Sequence, residues 1–464
     1  PDSHQWRNKN KHLIFLSFNL ENKSMHKKIL ISLSLILASF CQTYASDISP
    51  LDTANFAKRK TIVENLKKRN KKLSKELSKV YSVTELNYIR PIYNEFDKDL
   101  RKDIQKGDYI FYSAFDSVIN DTHNKLTAHN PGLEKSCMYF VSRDISLNAM
   151  STVYNTFVIN LGSFYFLKNR DEFATLIAHE HAHNYLKHQI ASLKNNYKMD
   201  RTDAKASVSE IRKNRYGRGA RAVEEFKSLL YNKGKMNRQH EFEADSLGYL
   251  LYKNSGYNPD LYLNSFRLML EYDTIKTTDL DISIYKKTFD LPEQAFKDEW
   301  LKQEDFSDYD YSKFKDKFDS DSIKSHPELE ERINNLKRLF PELNTTNSTD
   351  SVVADTFYRE IRQTAFYEVF QSLDISEDYG FGVYLCLSEL ADSNLFSESE
   401  VAYFKKWLGK YFTKIHKARK EYTLNRHLDK VDPKEQPKDY QQFLNFMWNL
   451  KLPEIEVIAK HYSI

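Results

Sequence analysis

The sequence LIAHEHAHN at residues 176–184 decides how the rest of the chain is interpreted, because it contains the pattern H-E-x-x-H. The pattern is formed by His179, Glu180 and His183. Residues four positions apart stand one turn apart on the same face of a helix, so the two imidazoles can bind one metal ion. Glu180 stands beside the first ligand and can reach a water bound to that metal. The stretch therefore predicts a hydrolytic metal site on a helix.

The residues around the pattern predict where this helix begins. Asn169 is a favourable N-cap residue, and Glu172 three positions later completes a start that resembles a capping box. Apolar residues recur at helical spacing and no proline interrupts the run. The apolar positions are Phe173, Leu176, Ile177, Tyr185, Leu186 and Ile190. The alternative is a surface helix on which histidines occur by chance.

A second stretch, RQHEFEADSLGY at residues 238–249, argues against that alternative. Glu241 and Asp245 are also four positions apart and share a helix face. A catalytic zinc site with two histidines needs a third protein ligand and an open position, and Glu241 is the candidate ligand. Asp245 is placed to hydrogen-bond the far nitrogen of a ligand histidine. Ala244 and Gly248 are small, which would let the two helices approach closely. By itself, the stretch could also be a salt-bridged surface helix.

Together, H-E-x-x-H and the later E-x-x-A-D-x-x-G resemble metallopeptidase family 48, the HtpX-like and CAAX-prenyl-protease-like zinc peptidases. The resemblance extends over roughly residues 85–340. In place of the family's glycine-rich turn this chain has Met150-Ser151-Thr152-Val153-Tyr154. The other matching elements are SLNA at 146–149, FVINLG at 157–162, Lys187-His188 as a continuation of the helix, SGYNP at 255–259 and SHPELEERI at 325–333.

The resemblance implies a mainly α (α+β) fold: a helical zincin-type metallopeptidase domain with a small β-sheet beside the active-site helix, plus a C-terminal helical domain. It implies one Zn²⁺ per chain, and it assigns the strand at 156–160 to the sheet edge, where an extended substrate would pair. His326 either faces the metal or the developing oxyanion, or only begins a helix before Pro327. Arg332 is expected to brace the site through a carboxylate. His181 and His240 have the wrong spacing for ligands and are predicted to be exposed.

Composition sets the outer limits of the interpretation. The chain has 464 residues, which is typical of two to three domains, and its few Gly and Pro residues favour helices. Its formal net charge of +4 is small for this size, and no nucleic-acid recognition module stands out. We therefore expect no nucleic-acid partner.

The N-terminal region predicts export. Residues 1–24 form an upstream extension without clear organisation, and residues 25–45 have the charged, apolar and small-residue order of a signal peptide. A membrane anchor is the alternative, although the apolar run is short for a span. We expect a periplasmic or secreted protein that is soluble after the signal peptide is removed. Cys137 and Cys386 would then remain, either paired or as two buried free thiols.

The remaining segments predict the domain organisation. The zinc metallopeptidase domain covers 52–342, a polar linker 343–351, and a C-terminal helical domain 352–464. Within the first domain, 191–237 is either a lid or a variable polar insertion. Residues 52–80 form a basic helix that packs on the catalytic domain or, alternatively, contacts an anionic membrane surface. The helices expected after the linker are about 353–373, 380–392, 398–420 and 438–450.

These features predict a zinc-dependent endopeptidase that cleaves secreted or envelope proteins in protein quality control, with Glu180 activating a zinc-bound water. Its substrates are proteins or peptides, and envelope or membrane-associated partners would bind the C-terminal helical domain. The alternative is a chaperone-like assembly or interaction factor whose zinc site is occluded and little used. An exopeptidase would need a residue that binds a free amino terminus, and no motif identifies one.

Overall fold

Helices make up most of the chain, and a single small sheet accompanies them in the described residues. The computed structural model describes residues 48, 50–51, 54–152, 155–199, 235–274, 280–302, 326–344, 355–432 and 436–463. The predicted mainly α (α+β) fold with a small sheet beside the motif helix is confirmed. No helix in these ranges is long and apolar enough to cross a membrane.

Two long helices, α1 (Phe56–Val80) and α2 (Val83–Lys106), pack against each other at the start of the described chain. The predicted basic helix is α1, and its apolar residues Leu66 and Leu77 are buried. Val80, the last residue of α1, is exposed. Burying part of one face against α2 accounts for the helix without any contact with a membrane surface.

The sheet has four strands in the order β1-β2-β4-β3. Strand β4 pairs in parallel with β2 and antiparallel with β3, so it is an interior strand. The prediction that the 156–160 strand lies at the sheet edge is therefore wrong, because β3 folds back over that edge and Asn155 adopts a left-handed φ of 56° in the turn. The strands are β1 (Tyr109–Ile110), β2 (Met138–Ser142), β3 (Ala149–Thr152) and β4 (Thr156–Asn160).

The helix that carries H-E-x-x-H is α5, and it begins after Asn169 as predicted. The Asn169 side chain accepts a hydrogen bond from the Glu172 amide at 2.9 Å. The helix ends at Tyr185, and Lys187 has a φ of +58°, so the expected continuation through Lys187-His188 is wrong. A new helix begins at His188. The helices in this part of the chain are α3 (Ser113–His129), α4 (Leu161–Phe166), α5 (Arg170–Tyr185), α6 (His188–Met199) and α7 (Lys235–Asn254).

The chain after α7 is helical in every described stretch apart from short connections. The expected C-terminal helices are present, and a last helix, α15, was not predicted. These helices are α8 (Tyr262–Thr274), α9 (Ile282–Phe289), α10 (His326–Leu339), α11 (Thr356–Ile375), α12 (Tyr379–Ala391), α13 (Glu398–Lys420), α14 (Lys438–Asn449) and α15 (Leu452–His461).

A buried ion pair connects the region after β2 with the C-terminal helices. The Arg143 guanidinium donates to the Glu368 carboxylate on α11, which also accepts the Leu51 amide at 2.9 Å. Helix α11 also packs against α4. Most of the linker predicted at 343–351 lies outside the described residues, so the division into 52–342 and 352–464 stays a prediction. The predicted extension and signal peptide, and most of the 191–237 segment, also lie outside them.

Candidate metal centre

The centre forms where α7 lies along α5, and two small residues on α7 permit the close approach. Ala244 is fully buried. A Cβ atom added at Gly248 would lie 3.1 Å from the Cα of His179 and 3.0 Å from the hydroxyl of Tyr262. Both distances are shorter than ordinary carbon contacts. A larger residue at 248 would push α7 away from the first histidine of the motif, as the sequence suggested.

Three side chains on these helices point ligand atoms at one another. The Nε2 atoms of His179 and His183 are 3.0 Å apart, and Glu241 places Oε2 at 3.5 Å from the first and Oε1 at 3.3 Å from the second. A tetrahedral ion about 2.0–2.1 Å from each ligand would have ligands about 3.4 Å from one another. The three groups therefore fit one metal ion. Their chemistry, two imidazoles and a carboxylate, suits zinc.

Asp245 and Arg332 support this set from behind. Asp245 Oδ1 lies 2.9 Å from His179 Nδ1, although the N–H does not point directly at the oxygen. Arg332 donates two hydrogen bonds of 2.7 Å to the Asp245 carboxylate and reaches Glu241 Oε2 at 2.9 Å. The guanidinium also stacks over the Phe266 ring at 5.2 Å. Arg332 thus holds both carboxylates, which is the bracing role that the sequence suggested for it.

The charges of this group shift the pKa values in the metal-free protein. Burial alone would raise the pKa of Glu241 and of Asp245, but the Arg332 charge, together with the contacts to the ligand histidines, outweighs burial and lowers both. Burial would lower the pKa of His179, but hydrogen bonds and charge from Asp245 and Glu241 raise it to about 10. The two carboxylates are therefore ionised at neutral pH, and a proton occupies His179 until a metal displaces it.

His183 is supported by residues that the sequence reasoning missed. Its Nδ1 lies 3.0 Å from Nδ1 of His188, and Nε2 of His188 lies 3.1 Å from Oε2 of Glu243. If Nε2 of His183 binds the metal, its proton is on Nδ1 and is donated to His188, which then donates its own proton to Glu243. Each ligand histidine thus has a carboxylate on the side of its ring that faces away from the metal: Asp245 contacts His179 directly, and Glu243 contacts His183 through His188. The available signal was the spacing H-E-x-x-H-x-x-x-x-H together with the pair Glu241 and Glu243.

The remaining motif residue, Glu180, is buried and points towards the edge strand. Its Oε2 accepts a 2.6 Å hydrogen bond from the amide of Ser151 on β3. Gln189 at the start of α6 donates to the side chain of Ser151 at 2.6 Å and to its carbonyl at 3.3 Å. The Glu180 side chain therefore extends from α5, which carries it, to β3, the edge strand of the sheet.

Three other histidines complete the comparison with the sequence predictions. His326 begins α10, but its side chain lies outside the described part of the structure. His181 and His240 are both buried, so the prediction that they are exposed is wrong. His240 stacks on His188 with ring centroids 4.1 Å apart. His181 lies on the opposite side of α5, because two residues along a helix turn the side chain by about 200°. Cys137 and Cys386 are free thiols.

Comparison with known proteins agrees with this geometry. Residues 116–339 match the sequence model of peptidase family M48. That range contains α5, α7 and α10, and with them the three candidate ligands and the residues that support them, Asp245, His188, Glu243 and Arg332. No curated protein sequence matches the chain.

Proposed function

This chain belongs to peptidase family M48, and we propose that it is a zinc-dependent endopeptidase that cleaves secreted or envelope proteins during protein quality control. Membership of the family makes it a metallopeptidase that acts on proteins or peptides. Zinc, internal cleavage and the place of action go beyond that membership.

One observation carries the proposal, namely the convergence of His179, His183 and Glu241 from two helices. Their ligand atoms lie 3.0–3.5 Å from one another. The assigned ligands of zinc are these three residues. Arg332 balances the charge of Glu241, and Asp245 and Glu243 orient the two imidazoles, directly and through His188. A catalytic site of this type needs three protein ligands and one open position.

The chemistry follows from the residues around the metal. Bound zinc would polarise the peptide carbonyl and acidify the attacking water. Glu180 takes the proton of that water as general base and then passes it to the leaving amine. The 2.6 Å hydrogen bond from the Ser151 amide holds the Glu180 carboxylate beside strand β3.

Strand β3 is the edge at which we expect an extended substrate to pair. The Ser151 amide and carbonyl bond Glu180 and Gln189 instead of β4, which shows that they face away from the sheet. A substrate strand beside β3 would compete for these groups and bring its scissile bond next to Glu180. This replaces the sequence-based assignment of pairing to the 156–160 strand.

The place of action rests on the predicted signal peptide at 25–45. In this proposal, the exported peptidase removes misfolded proteins in the cell envelope. The C-terminal helices α11–α15 are the proposed docking region for envelope or membrane-associated partners. Expression of the full chain, followed by fractionation and N-terminal sequencing of the exported form, tests cleavage after Ala45.

The deciding experiment compares Glu180→Gln with the wild type. We expect the variant to keep its zinc and to lose cleavage of unfolded casein by at least about a hundredfold, because a general base contributes about 10²–10⁴-fold. Glu398→Gln, at an exposed position on α13, is the matched control and should cleave normally. Retained turnover in Glu180→Gln contradicts the assigned role.

A second variant tests the ligand set separately. Glu241→Ala should lose the catalytic zinc, because two imidazoles alone bind it weakly. If Glu241→Ala keeps that zinc, Glu241 is not a ligand. If Glu180→Gln supports the biological role of the protein as well as the wild type does, the chaperone-like alternative replaces the protease.

A further inference from the structure

A second group of potential metal ligands lies behind α5, on the side opposite the metal centre. We name His123, Cys137, Tyr139 and His181 the rear cluster. His123 is on α3, Cys137 precedes β2, Tyr139 is on β2, and His181 is on α5. The ligand atoms of His123, Cys137 and His181 all lie within 4.8 Å of one another. Residues far apart in sequence thus bring two nitrogens, a sulfur and a phenol together.

The two histidines of the rear cluster face each other directly. His123 Nδ1 lies 3.3 Å from His181 Nε2, and the Tyr139 hydroxyl lies 2.9 Å from both nitrogens. Two ring nitrogens at this distance repel each other unless a proton or a metal cation lies between them. The 3.3 Å separation is also close to the spacing of two ligands on a tetrahedral ion, about 3.4 Å.

A backbone carbonyl fixes the orientation of His123. Its Nε2 lies 3.1 Å from the carbonyl oxygen of Lys135, which can only accept, so Nε2 carries the proton and donates it. The lone pair of the neutral ring is then on Nδ1 and points at His181. A metal-ligating histidine typically donates its other N–H to a carbonyl or carboxylate in this way.

The remaining two members can complete a coordination shell. The Cys137 thiol donates to the Glu134 carbonyl at 3.3 Å, a weak contact that a metal–sulfur bond could replace. Sulfur and imidazole ligands together suit zinc and copper, whereas carboxylate and carbonyl ligands suit magnesium and calcium. With the phenol oxygen as a fourth donor, the shell would be closed.

We propose that the rear cluster is a second transition-metal site, suited to Zn²⁺, that ties α3 and β2 to the back of the active-site helix. On binding, the S–H bond of Cys137 breaks, a sulfur–zinc bond forms, and the proton passes to the solvent. The site has four protein donors and leaves no open position for water, so its role is structural. It would fix the side of α5 opposite His179 and His183.

Metal counting tests the proposal on the full chain. The protein is stripped with a chelator, reloaded with Zn²⁺ alone, passed through a desalting column and assayed for metal. We expect two zinc ions per wild-type chain and one in Cys137→Ser. The matched control is Cys386→Ala, which removes a free thiol on α12 that does not belong to the rear cluster and should leave two ions. One ion in the wild type and the same number in Cys137→Ser would overturn the proposal.

Cobalt substitution gives a readout that the catalytic site cannot produce. His179, His183 and Glu241 contain no sulfur, so a near-ultraviolet thiolate-to-Co²⁺ charge-transfer band would arise only at a cysteine site. We expect the band in the wild type and in Cys386→Ala, and its loss in Cys137→Ser. A cobalt-loaded wild type without the band would contradict the inference.

A third measurement does not depend on the folding of a Cys137 variant. When Cys41 and Cys386 are both replaced by Ala, Cys137 is the one thiol of the chain that an alkylating reagent can report. Zinc should slow its alkylation by at least about tenfold relative to the chelator-treated protein, because a coordinated thiolate is a poor nucleophile. Equal rates with and without zinc would exclude coordination.

The two metal proposals can fail independently. Glu241→Ala should lose the catalytic ion and keep the one at the rear cluster, so it should contain one zinc and show the cobalt–thiolate band. Loss of both ions in Glu241→Ala would leave Cys137 without a metal and overturn the second site. Two ions remaining in Glu241→Ala would instead contradict the assignment of Glu241.

Discussion

Helix α5 carries histidine clusters on two opposite sides, and they differ in what surrounds them. On the side of the metal centre, His179 and His183 are followed by the carboxylates of Asp245 and, through His188, Glu243. On the other side, His181 meets a histidine, a phenol and a thiol. Acidic neighbours orient the first pair of imidazoles, whereas neutral neighbours surround the second.

The difference appears in the pKa values of two histidines that are two residues apart. Burial lowers the pKa of both side chains. Hydrogen bonds and charge from Asp245 and Glu241 outweigh burial at His179 and raise its pKa to about 10. At His181, burial lowers the pKa to about 3, and His123 acts in the same direction when it is protonated. Neighbouring groups alone thus decide whether a buried histidine on this helix favours its protonated or its neutral form.

The largest effect on stability should come from removing Arg332, the cation that balances the charges of Asp245 and Glu241. In Arg332→Gln, the buried carboxylate of Asp245 and the partly buried carboxylate of Glu241 lose their cationic partner. We expect the free energy of unfolding of the metal-free protein to fall by about 3–5 kcal/mol in urea titrations. Arg338→Gln, at an exposed position on the same helix, should change it by less than about 0.5 kcal/mol. Equal losses in the two variants would remove Arg332 from the charge balance.

The next effect tests the carboxylate behind His183. Glu243→Ala removes the acceptor of His188 Nε2 and should weaken zinc binding by about 10–100-fold in a competition titration with a coloured chelator. Gln239→Ala is the control, because it removes the other partner of Glu243, at 2.8 Å, and leaves the contact with His188. Unchanged affinity in Glu243→Ala would mean that His188 does not need its carboxylate.

The pH dependence of zinc affinity should reflect the raised pKa of His179. Below about pH 10 a proton on His179 competes with the metal, so affinity increases as pH rises. One displaced proton gives about a tenfold gain per pH unit between about pH 7 and pH 9. Asp245→Asn removes a group that raises this pKa and should flatten the slope. A flat wild-type profile would contradict the prediction.

The smallest effect on stability is expected on the side of α5 that carries His181. Tyr139→Phe removes a hydroxyl that contacts His123 and His181, and we expect the metal-free protein to lose about 1 kcal/mol of stability in urea titrations. Tyr422→Phe is the control, because Tyr422 is 94% exposed and its hydroxyl is hydrated before and after unfolding. A loss comparable to that of Arg332→Gln would remove the distinction between the two sides.

The ligand set could be derived from sequence because helical spacing is local. The pairs His179–His183 and Glu241–Asp245 each lie one turn apart, and small residues at 244 and 248 indicate where the helices approach. The support of Arg332 could be suggested only from its place in the SHPELEERI element that resembles the family, and its contacts with both carboxylates come from the structure. Family resemblance supplied the order of the elements, which spacing alone does not contain.

The features that could not be predicted from the sequence depend on breaks in the helix and in the sheet. In a continuous helix, His188 would lie about 140° around the axis from His183 and could not reach it. The left-handed Lys187 turns the chain so that His188 contacts His183, and nothing in a lysine predicts that conformation. The position of β4 was missed for a similar reason, because the turn at Asn155 decides which strand forms the edge.

The ion pair of Arg143 and Glu368 has a consequence for the integrity of the whole protein. Glu368 comes from α11, so the C-terminal helices provide the counter-charge for a guanidinium buried next to the sheet. A premature stop codon upstream of α11 would remove this counter-charge together with the helix that covers Arg143, and it would expose the surface of α4 against which α11 packs. We therefore expect such a truncation to destabilise the fold around the sheet, although every ligand residue would still be present in the shortened polypeptide.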